Sequence, residues 1–283
     1  MSLNIQIDDS HMTRLERRFA KIRLEEKRSV LVTYVMAGDP TIEISQSILN
    51  GLPDAGADII ELGMAFSDPM ADGPTIQDAA NRALAAKITL PKTLELLYNF
   101  RQKNTETPVI LMGYYNPILN YGLKDFCNDA ALAGADGLII VDLPPEEDAE
   151  LGAYARGNGL SVIRLVSPTT NDARLEHILK NSSGFVYYIS MTGVTGAKSI
   201  TPSSVVSYVN NIRRFTRLPV AVGFGIKGPE QVKEIGKFAD AVVVGSAIVA
   251  KIGDYARNYS SKSDPKQLVK DVFAFVKTLR NAL

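Results

Sequence analysis

Ala55-Gly56-Ala57-Asp58 leads into the apolar run Ile59-Ile60-Glu61-Leu62, and Ala133-Gly134-Ala135-Asp136 leads into Gly137-Leu138-Ile139-Ile140-Val141. A shorter echo, Phe238-Ala239-Asp240, precedes Ala241-Val242-Val243-Val244-Gly245. Each reads the same way: a helix ends, the chain turns, and a β-branched run begins. Glycine supplies the left-handed residue that ends a helix, and aspartate starts the turn into the strand. Outward from these three, runs of the same kind occupy 30–35, 58–62, 108–112, 137–141, 161–166, 185–190, 219–223 and 241–245. Most are apolar on consecutive residues, as strands buried on both faces are. Helix-like stretches lie between them, at 75–86, 90–103, 123–133, 145–158 and 229–238. Eight strands alternating with helices over about 250 residues predict an α/β fold, the parallel (β/α)8 TIM barrel. The alternative is a doubly wound open sheet, which needs a switch point and usually has fewer strands.

Both ends of the chain add helices. Met12, Leu15, Phe19 and Ile22 share one face, which predicts an extra N-terminal helix, capped by Asp9 or Ser10, that closes the bottom of the barrel. At the other end Pro265 opens a helix whose apolar stripe is Leu268, Val272, Phe275 and Leu279. No Pro/Ser-rich linker divides the chain, so residues 1–283 read as a single barrel domain.

Composition narrows the function. With 46% hydrophobic and 22% charged residues the chain is of globular type. Lys+Arg and Asp+Glu are both 31, and a neutral balance argues against nucleic acid or an anionic membrane as the main partner. Cys127 has no second cysteine to pair with, and two histidines make a poor zinc set. No apolar run reaches the ~18 residues of a membrane span, and Met1-Ser2-Leu3-Asn4 lacks a signal peptide's apolar region, so the expected location is cytoplasmic.

In a barrel the chemistry gathers at the C-terminal ends of the strands. The second run ends in Glu61, and the turn-rich loop 63–74 carries Asp68 and Asp72. The fourth run is followed by Asp142, the fifth contains Arg164, and the sixth offers Tyr187, Tyr188 and Ser190. No lysine ends a strand, which disfavours a Schiff base. His11 and His177 fall in helical or N-terminal segments. Glu61 and Asp72 remain for acid–base work. The bland readings are an ion pair of Glu61 with Arg164, and Asp72 as a turn residue before Gly73-Pro74. After the seventh and eighth runs come Gly223-Phe224-Gly225-Ile226 and Gly245-Ser246-Ala247. Glycines there let backbone N–H groups reach an anion, and a short helix after the eighth run aims its N-terminus at it, as in barrel phosphate sites. A third glycine-bearing loop, 191–198, follows the sixth run. The bland reading of all three is turns.

Five stretches together resemble one family, the alpha subunit of tryptophan synthase. They are Val35-Met36-Ala37-Gly38-Asp39-Pro40, the segment from Glu61-Leu62-Gly63 to Gly73-Pro74-Thr75-Ile76-Gln77, Thr192-Gly193-Val194-Thr195-Gly196, Gly223-Phe224-Gly225-Ile226, and Gly245-Ser246-Ala247-Ile248-Val249. The resemblance implies cleavage of indole-3-glycerol phosphate to indole and glyceraldehyde 3-phosphate in tryptophan biosynthesis. It implies no cofactor in this chain, and a pyridoxal-phosphate-dependent beta subunit as partner in an alpha2beta2 heterotetramer. Glu61 matches the acid–base group and Asp72 the acceptor of the indole N–H. Tyr187 matches the active-site tyrosine, and Tyr34, Met112 and Ile139 match positions around the indole. Gly196, Phe224, Gly225, Gly245 and Ser246 match the phosphate site, with Thr195 a further substrate-binding position. The chemistry itself asks for such residues. The carbon–carbon bond breaks only if indole C3 is protonated, and a carboxyl in an apolar pocket holds a proton near neutral pH.

Two departures are visible. Met64-Ala65-Phe66 stands where the family commonly has Ile-Pro-Phe, which leaves the loop freer, and Phe185 stands where some members have tyrosine. Segments 64–74 and 191–202 read as lids, and the loop 115–121, rich in apolar and aromatic residues, reads as a partner surface or as packing on the barrel's own rim. Two rival functions stand beside this one. They are another sugar-phosphate enzyme on the same barrel, and a non-catalytic barrel that activates a second subunit.

Overall fold

The computed structural model describes residues 12–189, 202–223, 225–258 and 264–283. Its strands are β1 (Val30–Met36), β2 (Ile59–Gly63), β3 (Val109–Gly113), β4 (Gly137–Ile140), β5 (Ser161–Val162), β6 (Arg164–Val166), β7 (Val186–Ile189), β8 (Val220–Gly223) and β9 (Ala241–Val244). All pairings are parallel, in the order β5-β4-β3-β2-β1-β9-β8-β7-β6. β5 and β6 are two halves of one stave, separated at Ile163. The first half pairs with β4 and the second with β7, so the sheet returns on itself. Eight staves in a ring are the expected TIM barrel, and the open-sheet alternative falls.

The helices are α1 (Arg14–Lys21), α2 (Ile42–Ala55), α3 (Pro74–Ala85), α4 (Leu90–Arg101), α5 (Tyr115–Tyr121), α6 (Leu123–Ala133), α7 (Ala149–Gly157), α8 (Asp172–Leu179), α9 (Pro202–Phe215), α10 (Pro229–Gly236), α11 (Ser246–Arg257) and α12 (Pro265–Arg280). Segment 115–121 is thus a helix rather than the expected loop. No helix among the described residues is long and apolar enough to cross a membrane.

Alternation along the staves sorts the core into two layers. Val32, Ile59, Ile110, Ile139, Ile163, Phe185 and Val243 fill the barrel, while Leu31, Val35, Leu62, Leu111 and Leu138 pack outward against helices. Leu15, Phe19 and Ile22 join the inner layer, with the Phe19 ring 5.9 Å from Phe185, so the N-terminal helix does plug the barrel. Its cap differs from expectation. Asp9 and Ser10 lie outside the described residues, and Thr13 forms a capping box with Glu16, each side chain accepting from the other's backbone N–H. In α12 the buried stripe is Leu268, Val272, Val276 and Leu279. Phe275 turns half outward, under the Lys251 ammonium.

The repeated aspartates have a role beyond starting a turn. Asp58 accepts the Leu31 N–H at 2.8 Å, Asp136 the Val109 N–H at 2.7 Å, and Asp240 the Val220 N–H at 2.9 Å. Each satisfies the first open donor of a neighbouring stave at the barrel bottom. Each is also paired to arginine: Asp58 with Arg28, Asp136 with Arg14 and Arg101, and Asp240 with Arg213.

Candidate active site

Glu61 sits near the C-terminal end of β2, in register with Tyr34 on β1 and Ile110 on β3. It is 1% exposed, and its Oε1 has no hydrogen-bond partner. Desolvation with nothing to compensate it pushes its pKa up to about 8. Glu61 therefore carries a proton at neutral pH. The expected alternative, an ion pair with Arg164, is not formed. Arg164 pairs with Asp148 and donates to the Leu143 carbonyl at 3.1 Å.

Asp72 lies at the end of the loop after β2, just before α3. The loop folds back on itself, with Met70 N–H donating to the Asp68 carbonyl at 2.9 Å and Asp72 N–H to the Pro69 carbonyl at 3.0 Å. Gln77, one turn into α3, donates to the Asp72 carbonyl at 2.8 Å. The Asp72 carboxyl is half-buried. Burial raises its pKa to about 6, against the pull of a hydrogen bond from the Tyr114 hydroxyl. It is less freely solvated than an ordinary turn aspartate, yet the weaker base of the two carboxyls.

Glu61 and Asp72 line one cavity of about 280 Å³ at the barrel mouth, with Tyr34, Met112 and Tyr187 around it. Two rings owe their place to glycines. A methyl group at Gly223 would fall 2.5 Å from the Tyr187 hydroxyl, and one at Gly63 would collide with the Tyr34 hydroxyl. These glycines serve close approach, not only turns. Ile139 does not line the cavity. It is fully buried in the inner layer of the barrel, in register with Met112.

The far side of the cavity is backbone. Gly225, held at φ +78°, lines it after β8, and Gly245 and Ser246 line it where α11 begins. Gly245 is the N-cap of α11. The first N–H groups of a helix lack intrahelical acceptors and carry the positive end of its dipole. Helix α11 is 12 residues long rather than short. No lysine or arginine lines the cavity among the described residues, so an anion there meets N–H groups and helix ends. Thr195, Gly196 and Phe224 lie outside the described residues, as do residues 191–201 of the second expected lid.

Sequence reasoning missed several lining residues: Pro74, Thr75 and Ile76 at the start of α3, Ile226, and Val243 on β9. Thr75 and Ile76 had a signal, since they directly follow the Asp72-Gly73 turn. Val243 had none, being one of four consecutive apolar residues. Tyr114 was also missed, because its partners come from a different stave.

Fold and site define a β/α-barrel enzyme with a buried acid and a second carboxyl at the mouth. The chain belongs to the tryptophan synthase alpha chain family, whose sequence model matches residues 19–283. Among similar solved structures is tryptophan synthase subunit alpha from Legionella pneumophila str. Paris, at 39% identity and TM-score 0.87, covering 96% of this chain and 98% of that one. A second alpha chain, from Legionella pneumophila subsp. pneumophila, is 37% identical with TM-score 0.85, covering 96% and 97%. Tryptophan synthase from M. tuberculosis in an aminoacrylate-bound form is 30% identical with TM-score 0.83, covering 96% and 99%. The chain is accordingly a carbon–carbon lyase of tryptophan biosynthesis, cleaving indole-3-glycerol phosphate to indole and D-glyceraldehyde 3-phosphate.

Proposed function

We propose that Glu61 and Asp72 carry this cleavage, and the observation behind the assignment is that a fully buried carboxyl and a half-buried one line a single cavity at the barrel mouth. Glu61, at about 8, enters the reaction protonated, and Asp72, at about 6, enters ionised. Glu61 gives its proton to indole C3. Asp72 accepts a hydrogen bond from the indole N–H and stabilises the positive charge that develops on the ring. The Glu61 carboxylate then takes the proton of the glycerol hydroxyl next to the ring. The carbon–carbon bond breaks, its electrons return to the ring, and the hydroxyl carbon becomes the aldehyde. The proton count closes without any further reactant.

Tyr34, Met112 and Tyr187 pack the indole, with Ile139 as the layer beneath them. Gly225, Gly245 and Ser246 hold the phosphate, and Thr195, Gly196 and Phe224 complete that side. The chain works as one domain in the cytoplasm without a cofactor of its own. Its partner is a beta subunit carrying pyridoxal phosphate, in an alpha2beta2 assembly. The apolar side chains offered to it are Met70, 80% exposed on the loop after β2, and Leu119, 53% exposed on α5. The deciding experiment is release of indole from indole-3-glycerol phosphate, measured with and without purified beta subunit. Release that the beta subunit accelerates supports the reading. No release in either condition overturns the catalytic assignment, and an unchanged rate overturns the partner.

A further inference from the structure

Tyr114 stands between β3 and α5 and is 4% exposed. Its ring packs 5.6 Å from the Phe66 ring, at the start of the loop after β2. At the far end of that loop its hydroxyl accepts the Ala71 N–H at 3.0 Å. Asp72, the next residue, lines the same small cavity as Tyr114, and the neighbouring hydroxyl pulls its pKa down. The loop is thus wrapped around one side chain from another stave. That stave end is itself held: Met64 N–H donates to the Met112 carbonyl at 2.8 Å, and Tyr115 N–H donates to Asp142 Oδ1 at 2.8 Å.

We propose that Tyr114 is the positioning residue of Asp72, holding the end of the loop so that its carboxylate faces the cavity. The inference rests on the role given to Asp72 above. A phenol has one proton to donate. With Ala71 N–H engaging its oxygen, that proton is left to turn toward the neighbouring Asp72 carboxylate. A donor to a carboxylate favours the charged form. Glu61 is fully buried, whereas Asp72 is half-buried beside that hydroxyl. Among the described residues, the ionisable groups that face Asp72 or share its cavity are Tyr34 on β1, Glu61 on β2, Tyr114 just after β3 and Tyr187 on β7. From α3, Gln77 engages the Asp72 backbone carbonyl and not its carboxylate, and in the loop Asp68 is engaged by Ser67. Tyr114 is the one whose hydrogen bond lowers the Asp72 pKa.

Tyr114→Phe keeps the ring against Phe66 and removes the hydroxyl. Two readings are compared in the full chain: the pH profile of kcat/KM for indole release, and the NMR titration of the 13C-labelled Asp72 carboxyl. The expected result is that the acid limb and the Asp72 midpoint both move up by about one pH unit, worth about tenfold in kcat/KM at the acid end. The basic limb stays in place. A loss equal at every pH, with the Asp72 midpoint unmoved, overturns the inference, as does an unchanged protein. If the midpoint moves but neither protein releases indole, the Tyr114–Asp72 linkage stands and the cleavage role of Asp72 falls.

Discussion

Arg82 on α3 grips Asp39, just beyond β1, through two hydrogen bonds of 2.7 and 2.8 Å, and the Asp39 side chain is fully buried. The pair fixes α3 on the barrel, and α3 carries the Asp72 turn at its N-terminus. Arg82→Ala leaves a buried carboxylate unpaired, a loss of about 3–5 kcal/mol. Urea unfolding measures it. Adding Asp39→Asn to Arg82→Ala recovers part of the loss, because the unpaired charge is gone; a double variant no better than the single one contradicts this account.

The two carboxyls set a pH window for cleavage. Asp72 must be ionised, so activity falls as pH drops through about 6. Glu61 must be protonated, so activity falls as pH rises through about 8. The expected profile of kcat/KM is a bell centred near neutrality. A rate that keeps climbing well above pH 8 contradicts the role of Glu61 as acid.

Glu61→Gln removes the proton donor while keeping the shape of the side chain. Cleavage falls by about two orders of magnitude or more, with substrate still bound. Stability responds the other way. The folded pKa of Glu61, about 8, lies above the ordinary 4.5. Its contribution is therefore complete below that ordinary value and is lost as pH rises toward 8. The stability of Glu61→Gln relative to wild type should rise by roughly 3 kcal/mol between pH 5 and pH 8. Denaturant unfolding at the two pH values checks this, and a difference independent of pH refutes it.

Gly225 holds φ +78° where it lines the cavity. Gly225→Val forces a β-branched residue into the left-handed region, at a cost above the usual 1–2 kcal/mol or so, and crowds the backbone N–H groups beside the phosphate. Calorimetry should show weaker glyceraldehyde 3-phosphate binding with indole binding much less affected. Equal losses for both ligands count against the phosphate assignment.

Much of the barrel was legible in order along the chain. Staves 30–36, 59–63 and 241–244 are mostly apolar on consecutive residues because both their faces are buried. Of the expected N-terminal face, Leu15 and Phe19 on α1 and Ile22 just after it were legible for the same reason, while Met12 precedes the helix and is only partly buried; Glu61, the one acid inside such a stave, was legible too. Where the amphipathic stripe was read one residue off, at Phe275 instead of Val276, the neighbouring helix decided: the Phe275 ring packs under Lys251 of α11. Segment 115–121 looked like a loop because its seven residues hold Pro117 and two asparagines, yet it forms a helix.

The order of residues along the chain determined which groups stand at the stave ends and that Glu61 and Asp72 share one strand and its loop. Only the closed barrel decided their chemistry. It gave Arg164 to Asp148 instead of Glu61, laid Tyr34 and Tyr187 over glycines of neighbouring staves, and brought Tyr114, just after β3, beside Asp72. The physical reason is range. Strand and helix patterns follow from each residue's own burial and its near neighbours in the chain. The ionisation of a carboxyl follows from what surrounds it in space, and here those surroundings come from five different staves.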